Sequence, residues 1–175
     1  MSVPRVAQTG ANDCGLACLV ALLRFHGLEP DEEAARRFSP ARVGAGPIAA
    51  GELEAYLEER QFRVALVHGS LDHTYPTGLL ALLETGLPVL VALAIGEGES
   101  PARHFVLVVG FDPAPGWVFV MDPARGVGAI PYRRFEEHWA RADHLMLVAA
   151  PESRLGRVLK QEFMVCSKQT WKSSR

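Results

Sequence analysis

The sequence predicts an α+β fold in which N-terminal helices pack on a mainly antiparallel β-sheet. Segments with helical periodicity dominate the first half of the chain. The strongest β pattern comes later, as two apolar runs joined by a Pro- and Gly-containing turn at residues 104–122. The 175 residues, 49% of them hydrophobic, are enough to bury one sizeable core. We therefore expect one domain over residues 1–150, followed by a separate tail at 151–175.

The first helix is predicted to begin near Asn12 or Asp13, since either side chain can cap free backbone N–H groups. It should end before Gly27. Apolar residues occupy most sides of this segment, which predicts a central, buried helix. Further helices are predicted at 30–38, 46–62, 77–86 and 132–142.

Strands are predicted at 63–68, 88–95, 104–111, 117–122 and 144–150. The clearest pair is "HFVLVVGF" and "WVFVMD", which the turn "DPAPG" (112–116) connects. A connection centred near Ala114 pairs residues whose numbers sum to about 228. His104 should then lie opposite or diagonal to residues 122–124, at the same end of the sheet as Asp122. A hydrogen bond between the two side chains would orient the imidazole.

Cys14 falls in the first turn of the first helix, where free N–H groups and the helix dipole stabilise a thiolate. Cys18 lies one turn further into an apolar stretch and is expected to pack in the core. Gly15 leaves room for a substrate backbone to approach the sulfur. The Gln8 side-chain amide, with the Cys14 N–H, could form an oxyanion hole. A helix-borne cysteine facing a histidine held by a carboxylate is the papain-type arrangement.

Two alternatives to a catalytic thiol are a buried structural cysteine at position 14, which the separately argued histidine and carboxylate disfavour, and a metal site. Cys14 and Cys18 are four positions apart and could in principle bind a metal together with His104. A structural zinc ion needs four ligands, however, and the sequence offers no second pair. We therefore expect neither a metal nor another cofactor.

Three blocks of the sequence resemble the signature blocks of the bacteriocin-processing cysteine peptidases. They are "QTGANDCGLACL" (8–19), "HFVLVVGF" (104–111) and "DPARG" (122–126), in matching order and spacing over residues 1 to about 150. The resemblance implies a papain-like domain that removes double-glycine leader peptides. In that family the domain is commonly the N-terminal cytosolic part of an ABC exporter.

The resemblance also implies a role for each matching residue. Cys14 corresponds by position to the nucleophile and His104 to the general base. Asp122 corresponds to the carboxylate that orients the histidine, and Gln8 to the oxyanion donor. The chain shows no transmembrane region and no ATPase, so we expect any ABC exporter partner to be a separate polypeptide.

Three functions remain open at this point. The first is a cysteine endopeptidase that cleaves a leader-bearing precursor after a small-residue pair such as Gly-Gly. The second is an acyltransferase, in which an amine replaces water as the acceptor. The third is a non-catalytic module that only binds peptides, although such a module would be expected to lose the nucleophile that is present here.

The net charge and the cysteine content limit which binding partners and which cellular compartment we expect. The net charge of −2 gives no reason to expect nucleic acid as a partner. The tail at 151–175 carries six basic and two acidic residues, and flexibility is its simplest interpretation. Three cysteines do not indicate a disulfide framework, and the N-terminus has no secretory signal. We therefore expect a cytoplasmic protein.

Overall fold

The computed structural model describes residues 1–30, 48–74, 77–98 and 102–154, which form four helices, six strands and a terminal 3-10 turn. The helices are α1 (Cys14–Phe25), α2 (Ala50–Glu59), α3 (Leu79–Glu84) and α4 (Tyr132–Ala140). The strands are β1 (Phe62–His68), β2 (Val89–Ile95), β3 (Ala102–Asp112), β4 (Trp117–Asp122), β5 (Gly126–Pro131) and β6 (Leu145–Pro151), after which Glu152–Arg154 form the 3-10 turn.

The six strands form one sheet in the order β1-β6-β2-β3-β4-β5. Every neighbouring pair is antiparallel. Strands β2 to β5 follow each other as a meander, whereas β6 inserts between β1 and β2. The mixed helical and antiparallel architecture confirms the predicted α+β class. No helix among the described residues is long and apolar enough to cross a membrane.

The sheet is covered by helices on both faces, so its central strands are apolar throughout. Helices α1 and α2 pack on one face, against residues that include Phe105 and Leu107. Helices α3 and α4 pack on the other, against residues that include Val106 and Val108. Side chains alternate along a strand, so His104 lies on the same face as Val106, opposite α1. A residue on α1 can therefore reach His104 only around the end of the sheet.

The open end of the β3–β4 hairpin, away from its turn, provides this route. Its ladder runs from Asp112 opposite Trp117 to Leu107 opposite Met121, with a bulge between Val108 and Gly110. Strand β4 then stops at Asp122, whereas β3 extends back to Ala102. The position facing Phe105 is occupied by Pro123, which has no N–H to continue a ladder. Strand β3 therefore extends beyond β4 at the edge where α1 begins.

Most predicted elements agree with the structure to within a few residues. Strand β4 has the predicted bounds, and the predicted helix at 46–62 contains α2. Strand β5 was missed, because the two glycines in "GVGAIP" interrupt any apolar alternation. The helix predicted at 30–38 falls almost entirely outside the described residues. The division between a domain at 1–150 and a tail at 151–175 stays a prediction.

We predict that Leu107→Ala will lower the free energy of unfolding by about 2–5 kcal/mol, because the substitution leaves a cavity between α1 and the sheet. Leu107 is completely buried, so little relaxation can fill the space. Urea denaturation followed by circular dichroism measures the change. Val127→Ala is the control, since Val127 is 67% exposed and should change stability by less than about 0.5 kcal/mol. Equal losses in both variants would contradict the described packing.

Candidate active site

Helix α1 carries Cys14 to the edge where β3 extends beyond β4. Cys14 is the first residue of the helix and is 4% exposed. The His104 imidazole lies near enough to the Cys14 thiol for each group to shift the pKa of the other. The structure thus brings together two of the residues that the sequence predicted as a site, one on a helix that covers one face of the sheet and one on a strand whose side chain starts on the other face.

Asp122, the last residue of β4, fixes the His104 ring. His104 Nε2–H donates to Asp122 Oδ1 over 2.8 Å, and the two side chains are only 12% and 14% exposed. The same carboxylate oxygen accepts the Ala124 N–H over 2.8 Å, which holds the acid in place. Because Nε2 is engaged with Asp122, Nδ1 is the ring nitrogen left for Cys14.

The backbone of Phe105 forms a third contact that sequence reasoning missed. Its N–H donates to Cys14 Sγ over 3.5 Å, and its carbonyl accepts a hydrogen bond from Cys18 Sγ over 3.4 Å. Both groups are free for these bonds because β4 has ended. Pro123 was the available signal, since the predicted hairpin register puts a residue without an N–H opposite Phe105.

These contacts shift the two titrating groups in opposite directions. Burial by itself would raise the pKa of Cys14, but hydrogen bonds from His104 and from the N–H groups of Phe105 and Gly15, with the charge of His104, lower it overall. Burial likewise disfavours a charged His104, yet its bonds and charge interactions with Cys14 and Asp122 raise its pKa overall. The arrangement therefore favours a thiolate–imidazolium pair.

Cys18 shows the opposite behaviour one helical turn away. It is completely buried, and this burial, reinforced by the negative charges of Cys14 and Asp122, raises the pKa of its thiol well above the usual value. Cys18 thus acts as a neutral donor to Phe105, in agreement with its predicted place in the core. The described residues contain no group of three or more His, Cys, Asp or Glu side chains that could hold a metal ion.

Gln8 lies in the segment before α1 and borders the same cleft as His104 and Asp122. Its backbone N–H donates to the Pro123 carbonyl over 3.0 Å, so the residue is anchored directly after Asp122. Its side-chain Nε2 donates to the Gly10 carbonyl over 2.9 Å. The four sequence-predicted site residues therefore lie at one end of the sheet.

Two expectations about the start of α1 are wrong. Asp13 occupies the cap position, but its side chain makes no capping bond to the helix and turns back to the loop at Thr9 and Gly10. Gly15 does not face a substrate path either. A Cβ on Gly15 would lie 3.2 Å from the Phe105 ring, so this glycine allows α1 to pack closely on the sheet.

A cleft of about 470 Å³ opens beside these residues on the face of the sheet that α4 covers. Leu93, Val120 and Ile130 contribute apolar wall, and Arg134 and His138 come from α4. Cys14 is not among the residues that line this cleft, and only 4% of its surface is exposed. The cleft is large enough for several residues of an extended peptide beside His104.

Comparison with known proteins gave both a family and structural relatives. A family model described as the Peptidase C39 family matches residues 2–154. The peptidase domain of Streptococcus ComA, a bi-functional ABC transporter involved in a quorum sensing pathway, has a TM-score of 0.68 at 18% identity, over 86% of this chain and 100% of that one. A comparison with curated proteins found no match.

Two further solved structures share the fold. A double glycine motif protease from an AMS/PCAT transporter, in complex with the leader peptide, has a TM-score of 0.64 at 20% identity over 86% of this chain and 92% of that one. A putative C39-like peptidase from Bacillus anthracis has a TM-score of 0.63 at 14% identity over 86% and 96% of the two chains. At these identities the likeness extends to the fold alone.

We predict that iodoacetamide will alkylate Cys14 at pH 6 while sparing Cys18, because only Cys14 has a stabilised thiolate. Replacing Asp122 with Asn removes a charge that favours the imidazolium, so the pH midpoint of Cys14 alkylation should rise. Peptide mass spectrometry at a series of pH values follows each cysteine separately, including Cys166.

Asp112→Asn is the matched control for this experiment. Asp112 lies at the other end of the same hairpin, where its carboxylate accepts the Ala114 N–H, and its removal should leave the midpoint unchanged. Alkylation of Cys14 only at the pH of an ordinary thiol would contradict the proposed ion pair. So would equal midpoints in the wild type and in Asp122→Asn.

Proposed function

The chain belongs to the Peptidase C39 family and is a cysteine peptidase, and from this premise we propose that Cys14 is its nucleophile. His104 is proposed as general acid and base, and Asp122 as the carboxylate that keeps the imidazole aligned. The observation that carries the proposal is that Cys14 and the Asp122-bound His104 ring meet at one end of the sheet, where each shifts the pKa of the other in the direction that favours a thiolate and an imidazolium.

Acylation begins when the Cys14 thiolate attacks the carbonyl carbon of the scissile peptide bond. The carbonyl electron pair moves to oxygen and gives a tetrahedral oxyanion. When the oxyanion collapses, the C–N bond breaks and His104 donates its Nδ1 proton to the leaving amine. The products of this step are a free amine and a thioester on Cys14.

Deacylation returns the enzyme to its starting state. Neutral His104 accepts a proton from a water molecule at Nδ1 while the water oxygen attacks the thioester carbonyl. Collapse of the second tetrahedral intermediate expels the Cys14 thiolate and releases a carboxylic acid. Asp122 remains bonded to Nε2 throughout, so the ring presents the same nitrogen in both steps.

The oxyanion is proposed to bind between the Gln8 amide and the Cys14 backbone N–H. N–H groups in the first turn of a helix have no acceptor within the helix, and no side chain caps α1. Each such donor is worth about 2.7–4 kcal/mol of transition-state stabilisation in enzymes where one has been deleted.

The proposed substrate is a precursor peptide whose leader ends in a Gly-Gly type site. Burial of the sulfur supports this choice, because residues beside the scissile bond must reach a thiol that is 4% exposed. Two glycines present no side chains to obstruct that approach. One structural neighbour is a double glycine motif protease in complex with the leader peptide.

The proposed partners follow from the same neighbours, two of which are peptidase domains of transporters. We infer that an ABC exporter receives the processed peptide. This assignment places the cleavage in the cytoplasm, where the exporter would collect its cargo.

We predict that Cys14→Ala will bind a Gly-Gly leader peptide with an affinity near that of the wild type and will not cleave it, because only the attacking sulfur is lost. Fluorescence anisotropy measures binding, and mass spectrometry measures the products. A matched peptide with Val-Val in place of Gly-Gly should resist cleavage by the wild type.

Three outcomes would contradict parts of this proposal. Cleavage by Cys14→Ala would exclude Cys14 as the nucleophile. Efficient cleavage of the Val-Val peptide would exclude the small-residue site. If an added amine appears in the product in place of water, the enzyme is an acyltransferase.

A further inference from the structure

We propose that Asp13 is a positioning residue that holds the Gln8 amide at the oxyanion site. The Asp13 side chain hydrogen-bonds to Thr9 and Gly10, and to neither the Cys14 sulfur nor the His104 imidazole. It acts on the loop that carries Gln8, so the inference rests on the proposed role of Gln8 as an oxyanion donor.

The Asp13 carboxylate is buried and bonded entirely to this loop. The residue is 3% exposed. Its Oδ2 accepts the Thr9 N–H over 2.9 Å and the Thr9 hydroxyl over 2.6 Å. The Gly10 N–H lies 2.8 Å from Oδ1 and 2.9 Å from Oδ2. Hydrogen bonds to an ionised acceptor are about twice as strong as neutral ones, so this is the firmest attachment of the loop.

The loop in turn fixes the Gln8 side chain. The Gly10 carbonyl can only accept, so the amide atom that faces it over 2.9 Å must be Nε2. One N–H of the Gln8 amide therefore donates to the Gly10 carbonyl, and the second N–H is the one proposed to donate to the oxyanion. The Gln8 backbone is held from the other side by Pro123, whose carbonyl accepts its N–H over 3.0 Å. Asp13 thus controls the position of the carbonyl that orients the amide.

Asp13 and Cys14 are adjacent in sequence, and the pKa values of both side chains are lowered, which favours two neighbouring negative charges. Other groups must therefore stabilise the Asp13 carboxylate. Burial alone would raise the pKa of Asp13, but the hydrogen bonds from Thr9 and Gly10 lower it overall. The groups that surround the Asp13 carboxylate are all hydrogen-bond donors, and both carboxylate oxygens accept from them. An amide side chain has only one acceptor oxygen. Asparagine would place an NH2 group against one of these N–H or O–H donors.

The experiment compares Asp13→Asn, Gln8→Ala and the double variant on a fluorogenic Gly-Gly peptide. For Asp13→Asn we expect kcat to fall by about 100-fold with little change in KM, the size of effect seen when one oxyanion donor is lost. The double variant should be no slower than Gln8→Ala alone, because Asp13 acts through Gln8. The rate of Cys14 alkylation at a pH where the thiol is fully ionised should stay as in the wild type, since that reaction forms no oxyanion.

Asp72→Asn is the matched control. Asp72 also accepts a loop N–H, from Thr74 over 2.7 Å, but it follows β1 at the opposite edge of the sheet. Its replacement should leave kcat and KM unchanged. Circular dichroism of each variant confirms that the compared proteins are folded.

The outcomes separate this inference from the function on which it rests. If Gln8→Ala is slow and Asp13→Asn retains the wild-type kcat, the positioning role is wrong and the peptidase mechanism stands. The positioning role is also overturned if the two losses multiply in the double variant, or if Asp13→Asn lowers the alkylation rate of the fully ionised Cys14 thiol. Wild-type rates in Gln8→Ala would overturn both the donor role and the inference.

Discussion

The site depends on a difference in length between two paired strands. Strand β4 ends at Asp122 because the next residue, Pro123, offers no N–H to the ladder, while β3 continues past it. The free backbone of Phe105 then bonds both cysteines of α1 instead of a neighbouring strand. The early end of β4 also leaves Asp122 beside His104, and the Pro123 carbonyl available to Gln8.

Burial opposes a thiolate at both cysteines of α1, and hydrogen-bonding partners overcome it only at Cys14. Cys14 and Cys18 are both buried on the same helix, and in both the loss of water contact opposes a thiolate. Cys14 overcomes this cost because an imidazole and two backbone N–H groups point at its sulfur. Cys18 has no such donors, and its complete burial, together with the charges of Cys14 and Asp122, raises the pKa of its thiol, which donates to the Phe105 carbonyl instead. One turn of helix thus separates a reactive sulfur from a packing residue.

Those parts of the site that depend on periodicity and register could be predicted from the sequence. The turn near Ala114 set the hairpin register, and with it the approach of His104 to Asp122, which are 2.8 Å apart. Contacts made by the backbone or by side chains that turn back on their own loop leave no such pattern. Phe105 was therefore missed, and Asp13 was read as a helix cap because residue type alone does not show which N–H groups its carboxylate faces. The catalytic roles of the four residues stay predictions.

We propose that Cys14 and His104 form a thiolate–imidazolium pair at the end of the sheet, in which each charge stabilises the other. The most direct measurement is a pH titration of 15N-labelled histidine by NMR, in the wild type and in Cys14→Ala. We expect the His104 ring to remain an imidazolium above the ordinary pH range of histidine, and the midpoint of its titration to fall when the thiolate is removed. An ordinary midpoint for His104 that is the same in both proteins would contradict it.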